Sequence, residues 1–164
     1  MNSLLYHGSY LTVENPIADY GRDNLDFGKG FYLTDIKGQA ENWARTVSSR
    51  RGRNAIPVLN IYEIDNASLQ NYNALKFESY NIEWLEYVVS CRNGGNLWRE
   101  YDYIEGGVAN DNVIDTVEDY EKGIITAEQA LGQLKYKKVN HQLCIVNQRI
   151  LDNLLKFKLS IDLR

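Results

Sequence analysis

The sequence predicts an α+β fold, and three observations predict it. Val58, Asn60, Tyr62 and Ile64 alternate with Leu59, Ile61 and Glu63 after Pro57, which is the period of a strand. Ala40, Trp43, Ala44 and Val47 recur at three and four residues, which is one face of a helix. Thr126 and Gln129 stand three apart ahead of an apolar run, the spacing of a capping box. Strands and helices are interspersed without an internal repeat or a low-complexity segment.

Taken in order, 3–7 reads as a short strand, followed by an irregular loop to Asp26 carrying Asn15-Pro16 and Tyr20-Gly21. Gly30 to Leu33 is a second strand, and Lys37 to about Arg50 the helix whose apolar face is named above. Arg50-Arg51-Gly52-Arg53-Asn54 makes an exposed turn into the strand from Pro57 to Ile64. Asn81 caps a helix running to about Cys91, and Asn93-Gly94-Gly95-Asn96 breaks the chain. Tyr101 to Glu105 is a strand, Gly106-Gly107 opens a loop, and a helical stretch follows that Gly123 terminates. The capped helix ends near Tyr136, Gln142 to Val146 is a buried strand, and Gln148 to Leu154 is a short helix. Lys156 to Leu163 closes the chain as a strand with Phe157, Leu159 and Ile161 on one face.

A chain of 164 residues with 44% hydrophobic and 12% aromatic content matches one domain, spanning 1–164. The N-terminal residues carry no signal sequence and no apolar run reaches membrane-spanning length, so a cytoplasmic protein is expected, with no membrane partner. Two cysteines, Cys91 and Cys144, suit a reducing compartment and lack metal-ligand spacing. A net charge of −4 argues against coating nucleic acid through the overall field. Two local basic patches remain, at Arg45, Arg50, Arg51 and Arg53 and at Lys135, Lys137 and Lys138. Each reads as a solvated surface or as a site for an anionic partner.

His7 ends the first strand and is followed by Gly8 and Ser9. Its ring nitrogen suits a sugar hydroxyl, and the missing side chain at Gly8 opens the backbone to a planar amide. Gly28-Lys29-Gly30-Phe31-Tyr32 is a glycine-rich turn entering a strand. It is not a phosphate loop, because no Gly-Lys-Ser/Thr opens a helix, and it lacks the three-glycine Rossmann spacing. By itself it reads as a hairpin turn feeding core aromatics.

In combination, Tyr6-His7-Gly8-Ser9, Gly28-Lys29-Gly30-Phe31-Tyr32-Leu33-Thr34 and Trp43 resemble the nicotinamide-dinucleotide pocket of the ADP-ribosyltransferases, in the poly-ADP-ribose-polymerase and diphtheria-toxin-like branch. The resemblance implies split antiparallel β-sheets with flanking helices. It implies NAD as co-substrate and no metal. His7 would bind the adenosine ribose, Gly8 the carboxamide, and Tyr32 and Trp43 would sandwich the nicotinamide ring, with Ser9 and Gly30 completing the pocket and Arg22 meeting the diphosphate. The family's late-strand glutamate aligns with Gln142, which hydrogen-bonds but takes no proton as a general base. Transfer of a single ADP-ribose unit is therefore expected rather than chain elongation. His7, Tyr32 and Gln142 form the expected catalytic set, with Lys138, Asn140 and His141 on the acceptor side and His141 a candidate acceptor base.

Residues 3 to 158 also resemble a bacterial family of unknown-function proteins within that superfamily, sharing the two N-terminal motifs, Gly107-Val108-Ala109-Asn110-Asp111-Asn112 and the Gln142 strand. Asn110 and Asp111 either line the cleft or build a turn. The implied activity is an NAD-dependent mono-ADP-ribosyltransferase acting on a nucleic-acid or protein acceptor, a toxin or phage-defence effector held by an antitoxin or other regulatory protein. Two other classes compete: a binding module that keeps the pocket without chemistry, and an interaction protein whose aromatics are core and surface only.

Overall fold

A computed structural model describes residues 3–110 and 113–164. It is α+β, with one sheet of three strands and one of four. In chain order the elements are β1 (Leu4–Ser9), β2 (Phe31–Leu33), α1 (Lys37–Arg51), β3 (Val58–Ile64), α2 (Asn66–Leu69), β4 (Ala74–Lys76), α3 (Ile82–Arg92), β5 (Tyr103–Gly106), α4 (Ile114–Glu121), α5 (Ala127–Leu134), β6 (Gln142–Ile145), α6 (Gln148–Asn153) and β7 (Leu155–Asp162). Single turns of 3-10 helix at Ala18–Tyr20 and Leu97–Glu100 complete the set.

The first sheet runs β1-β3-β7 and the second β2-β6-β5-β4. All pairings are antiparallel except β4 with β5, which is parallel and so corrects the expectation of wholly antiparallel sheets. The sequence reading had no β4, α2 or 3-10 turns, because three- and four-residue elements are too short to express a period. One antiparallel bridge, Tyr6 with Thr34, links the sheets, its two amides bonded at 2.8 and 3.0 Å.

Two cores sit on the two faces of the second sheet. One gathers Phe27, Trp84, Leu85, Val88, Ile104, Val117 and Cys144 under α3, α4 and α5. The other gathers Leu5, Phe31, Leu33, Tyr62, Leu143, Ile145 and Ile150 between the sheets. The expected caps are present: Asn81 accepts from the Trp84 amide at 2.9 Å, and Thr126 and Gln129 form the reciprocal capping box.

Two patterning expectations are corrected. The register of β3 with β7 slips between Ile61 and Tyr62, so Leu159 faces Ile61 while Phe157 faces Tyr62. Adjacent residues of β3 lie on opposite faces, so this bulge turns Leu159 away from Phe157 and leaves it 47% exposed. The buried stripe of α1 is Ala40, Ala44 and Ser48, and Trp43 stands 45% exposed. Helix α1 lies too close to β1 for a large side chain at the contact. A Cβ on Gly8 would come within 2.1 Å of the Ala40 carbonyl oxygen and 2.7 Å of the Ala44 nitrogen.

Candidate functional site

Among the described residues, the backbone pairing of β1 with the segment of β2 is one bridge, Tyr6 with Thr34, and His7 stands just past it. Its Nδ1–H donates to the Tyr32 carbonyl at 2.7 Å, and its ring stacks on Phe31 with centroids 4.3 Å apart. A carbonyl only accepts, so Nδ1 carries the proton and Nε2 presents a lone pair. Burial pushes the ring's pKa down, against the raising effect of the Tyr32 bond, and keeps the imidazole neutral.

Gly8 contributes backbone. Tyr6 bonds sideways to Thr34, and the Ser3 carbonyl accepts from Ile64 of β3. By strand alternation the odd residues of β1 face β3 and the even ones face the opening. The Gly8 N–H and C=O therefore look into the gap beside Tyr32. Ser9, at the end of β1, turns its hydroxyl to the Leu11 amide at 3.2 Å.

Tyr32 is half-buried, and its hydroxyl accepts from the Phe27 amide at 3.1 Å and donates to the Gly28 carbonyl at 2.6 Å. Burial drives this phenol's pKa well above its usual value, so it stays protonated. The glycines beside it serve packing. Gly28 sits at φ +88° with Trp98 2.2 Å from where a Cβ would be, and a Cβ on Gly30 would meet Cys144 Sγ at 2.6 Å.

Gln142 opens β6 opposite Gly106 and is 6% exposed. Its Nε2 is buried with no hydrogen-bond partner, a costly arrangement for an amide donor. Tyr32 lies across from Cys144, two residues on, so Tyr32 and Gln142 are diagonal neighbours on one sheet face. Cys144 shares that face, and burial raises its thiol to about 12, which removes it as a nucleophile.

His141 is adjacent in sequence but, by strand alternation, opposite in facing. Its Nδ1 lies 2.9 Å from Asp35 Oδ1 and its Nε2 2.9 Å from Glu105 Oε1. Its hydrogen bond is the leading cause that holds the Glu105 carboxyl below its usual range. The ring stands between the carboxylates, so the three do not converge on one point. Among the described residues no group of three His, Cys, Asp or Glu side chains has a metal-binding arrangement.

The remaining expected residues are spread outward. Trp43 is exposed on α1 with the Arg50 guanidinium 5.8 Å from its ring centre. Arg22 and Lys138 are exposed, and Asn140 is half-buried just before β6. In the Gly107 motif, Ala109 donates its amide to Asp26 at 3.2 Å and the Asn110 carbonyl accepts from Val113 and Ile114. Asn110 therefore builds a turn, while Asp111 and Asn112 lie outside the described residues.

One feature escaped the sequence reading. Beyond the Lys29 end of β2 lies a cleft of about 550 Å³ lined by Ile17, Ala18, Lys29, Trp98, Val146 and Gln148. The Gln148 side chain holds its rim, accepting from the Ala18 amide at 2.9 Å and donating to the Pro16 carbonyl at 3.0 Å. Neither Trp98 nor Gln148 stands in a motif, so the sequence carries no signal of this cleft. Among the described residues no helix is long and apolar enough to cross a membrane.

No curated protein and no solved structure matches the chain. Residues 3–157 match the family described as "Protein of unknown function (DUF3990)".

Proposed function

We propose that this chain, which belongs to the DUF3990 family, is a mono-ADP-ribosyltransferase that takes NAD at the parting of β1 and β2. The observation that carries this reading is the His7 ring, fixed through Nδ1 on the Tyr32 carbonyl so that Nε2 keeps its lone pair to accept from a hydroxyl. Further groups available to a carboxamide and ribose are the Gly8 amide and carbonyl, the Tyr32 ring and the unpartnered Nε2 of Gln142. A buried amide donor without a partner fits a site completed by a ligand acceptor.

In the reaction the bond from ribose C1′ to the nicotinamide nitrogen breaks, and its electron pair leaves on nicotinamide. An acceptor heteroatom bonds to C1′ and gives its proton to water. This chain's part is to bind and orient. Gly8 holds the leaving group's amide, Tyr32 and Trp43 flank its ring, and His7 and Gln142 hold sugar hydroxyls. Arg22 is the cation proposed to meet the diphosphate. The acceptor is a nucleic acid or a protein, and the effector role with a restraining antitoxin partner rests on the resemblance alone.

A second reading is favoured by one residue. Gln142 supplies no carboxylate, so a pocket that binds NAD without cleaving it fits the same geometry. Nicotinamide release separates the two, measured for wild type, His7→Ala, Tyr32→Ala and Gln142→Ala with RNA, DNA or protein added separately. Release that depends on these residues and rises with one acceptor class supports the transferase. Binding of NAD without release supports the second reading.

A further inference from the structure

The C-terminal half of α1 carries a surface that shares only Trp43 with the proposed pocket. From residue 42 to residue 62 the chain has four arginines and no acidic residue, within a protein of net charge −4. Arg45, Arg50, Arg51 and Arg53 are all exposed. Two of them lie against aromatic rings: Arg51 sits 4.3 Å from the centre of Tyr10, and Arg50 sits 5.8 Å from that of Trp43, itself 45% exposed. Arg45, two positions from Trp43 and so about 160° round the helix from it, stands apart and pairs with Glu41 at 3.8 Å.

We infer that this strip docks single-stranded nucleic acid and so selects the acceptor, an inference that rests on the transferase reading for its purpose but not for its binding test. Guanidinium planes and aromatic faces in alternation match a strand's repeat of phosphates and stackable bases. An acidic peptide would use the cations and leave the rings idle. The strip begins at Trp43, the residue proposed above to flank the nicotinamide, so on that reading a bound strand lies beside the reacting ribose. With three phosphate contacts on a single strand, from Arg50, Arg51 and Arg53, affinity falls about twenty-fold between 50 and 200 mM salt.

The test is anisotropy of a labelled 20-nucleotide single strand, RNA or DNA, without NAD, for wild type, Arg50→Glu/Arg51→Glu and Lys135→Glu/Lys137→Glu. Both double variants change net charge equally, and circular dichroism confirms that each folds. Expected are a loss of tenfold or more and a shallower salt dependence for the arginine pair, against less than threefold for the lysine pair. Equal losses, or wild type binding an acidic peptide and no oligonucleotide, overturn the inference. Oligonucleotide binding without nicotinamide release under any acceptor sinks the transferase reading and leaves the docking surface standing; release without oligonucleotide binding does the reverse.

Discussion

The His7 ring donates Nδ1–H to the Tyr32 carbonyl at 2.7 Å, spanning the gap where the backbone ladder between β1 and β2 has ended. One side chain thus does a structural job with one nitrogen and leaves the other for a ligand. Asparagine places an amide N–H near the Nδ1 position and nothing near Nε2. His7→Asn is expected to keep the melting free energy within about 1 kcal/mol, the loss coming from the Phe31 stack. It is expected to weaken NAD binding about tenfold, the worth of one hydrogen bond. Scanning calorimetry checks the first half and calorimetric titration with NAD the second, and unchanged NAD affinity would refute the role of Nε2.

Acidification acts on the same ring. Burial holds the folded pKa of His7 below the usual 6.5, so the unfolded chain takes up its proton first as pH falls. The stability His7 contributes is full above about pH 6.5 and drains as pH drops toward the folded value. Melting temperatures from pH 7.5 to 5 should therefore fall more steeply for wild type than for His7→Asn. Parallel curves would show that burial of the ring is not what sets this slope.

Glycine positions divide by what a methyl group would meet. Gly8→Ala drives a Cβ into the backbone of α1 and is expected to cost about 3 kcal/mol or more. Gly132→Ala, inside α5 with nothing within 4 Å, is expected to stabilise by about 0.5–1 kcal/mol through helix propensity. Urea titration of the two variants gives both signs.

Gln142 offers a test in which stability and function move apart. Replacing a side chain whose buried Nε2 has no partner by leucine removes a desolvated donor, so Gln142→Leu is expected to be neutral or stabilising by about 1–2 kcal/mol. The same change should abolish nicotinamide release or weaken NAD binding. A destabilised variant with intact ligand binding would mean that the amide serves the fold.

Much of the fold was legible because its longer elements carry a clear period or cap: α1, β3, the Asn81 cap of α3 and the Thr126 box of α5. The sidedness of α1 was not. Apolar spacing drew Trp43 inward, but the contact is set by how closely β1 approaches, a tertiary quantity that only Gly8 hinted at. The bulge in β7 escaped for a related reason, since register slips leave no mark on an alternating pattern. At the site, the chemistry-bearing residues were named from their motifs. Which nitrogen of His7 is committed, and that His141 and Gln142 work on opposite faces of β6, required the strand pairings.

The seating of α1 on β1 also constrains how this sequence can drift. Gly8, Ala40 and Ala44 meet backbone to backbone, so a larger residue at any one of them is tolerated only if the helix backs away or the other two shrink. Two of the three are already alanine and one is glycine, so there is almost nothing left to shrink. Change at these positions is therefore expected to be collective: neutral single substitutions are scarce, and a homologue with bulk at position 8 would carry its Trp43 equivalent and its arginine strip displaced from the histidine.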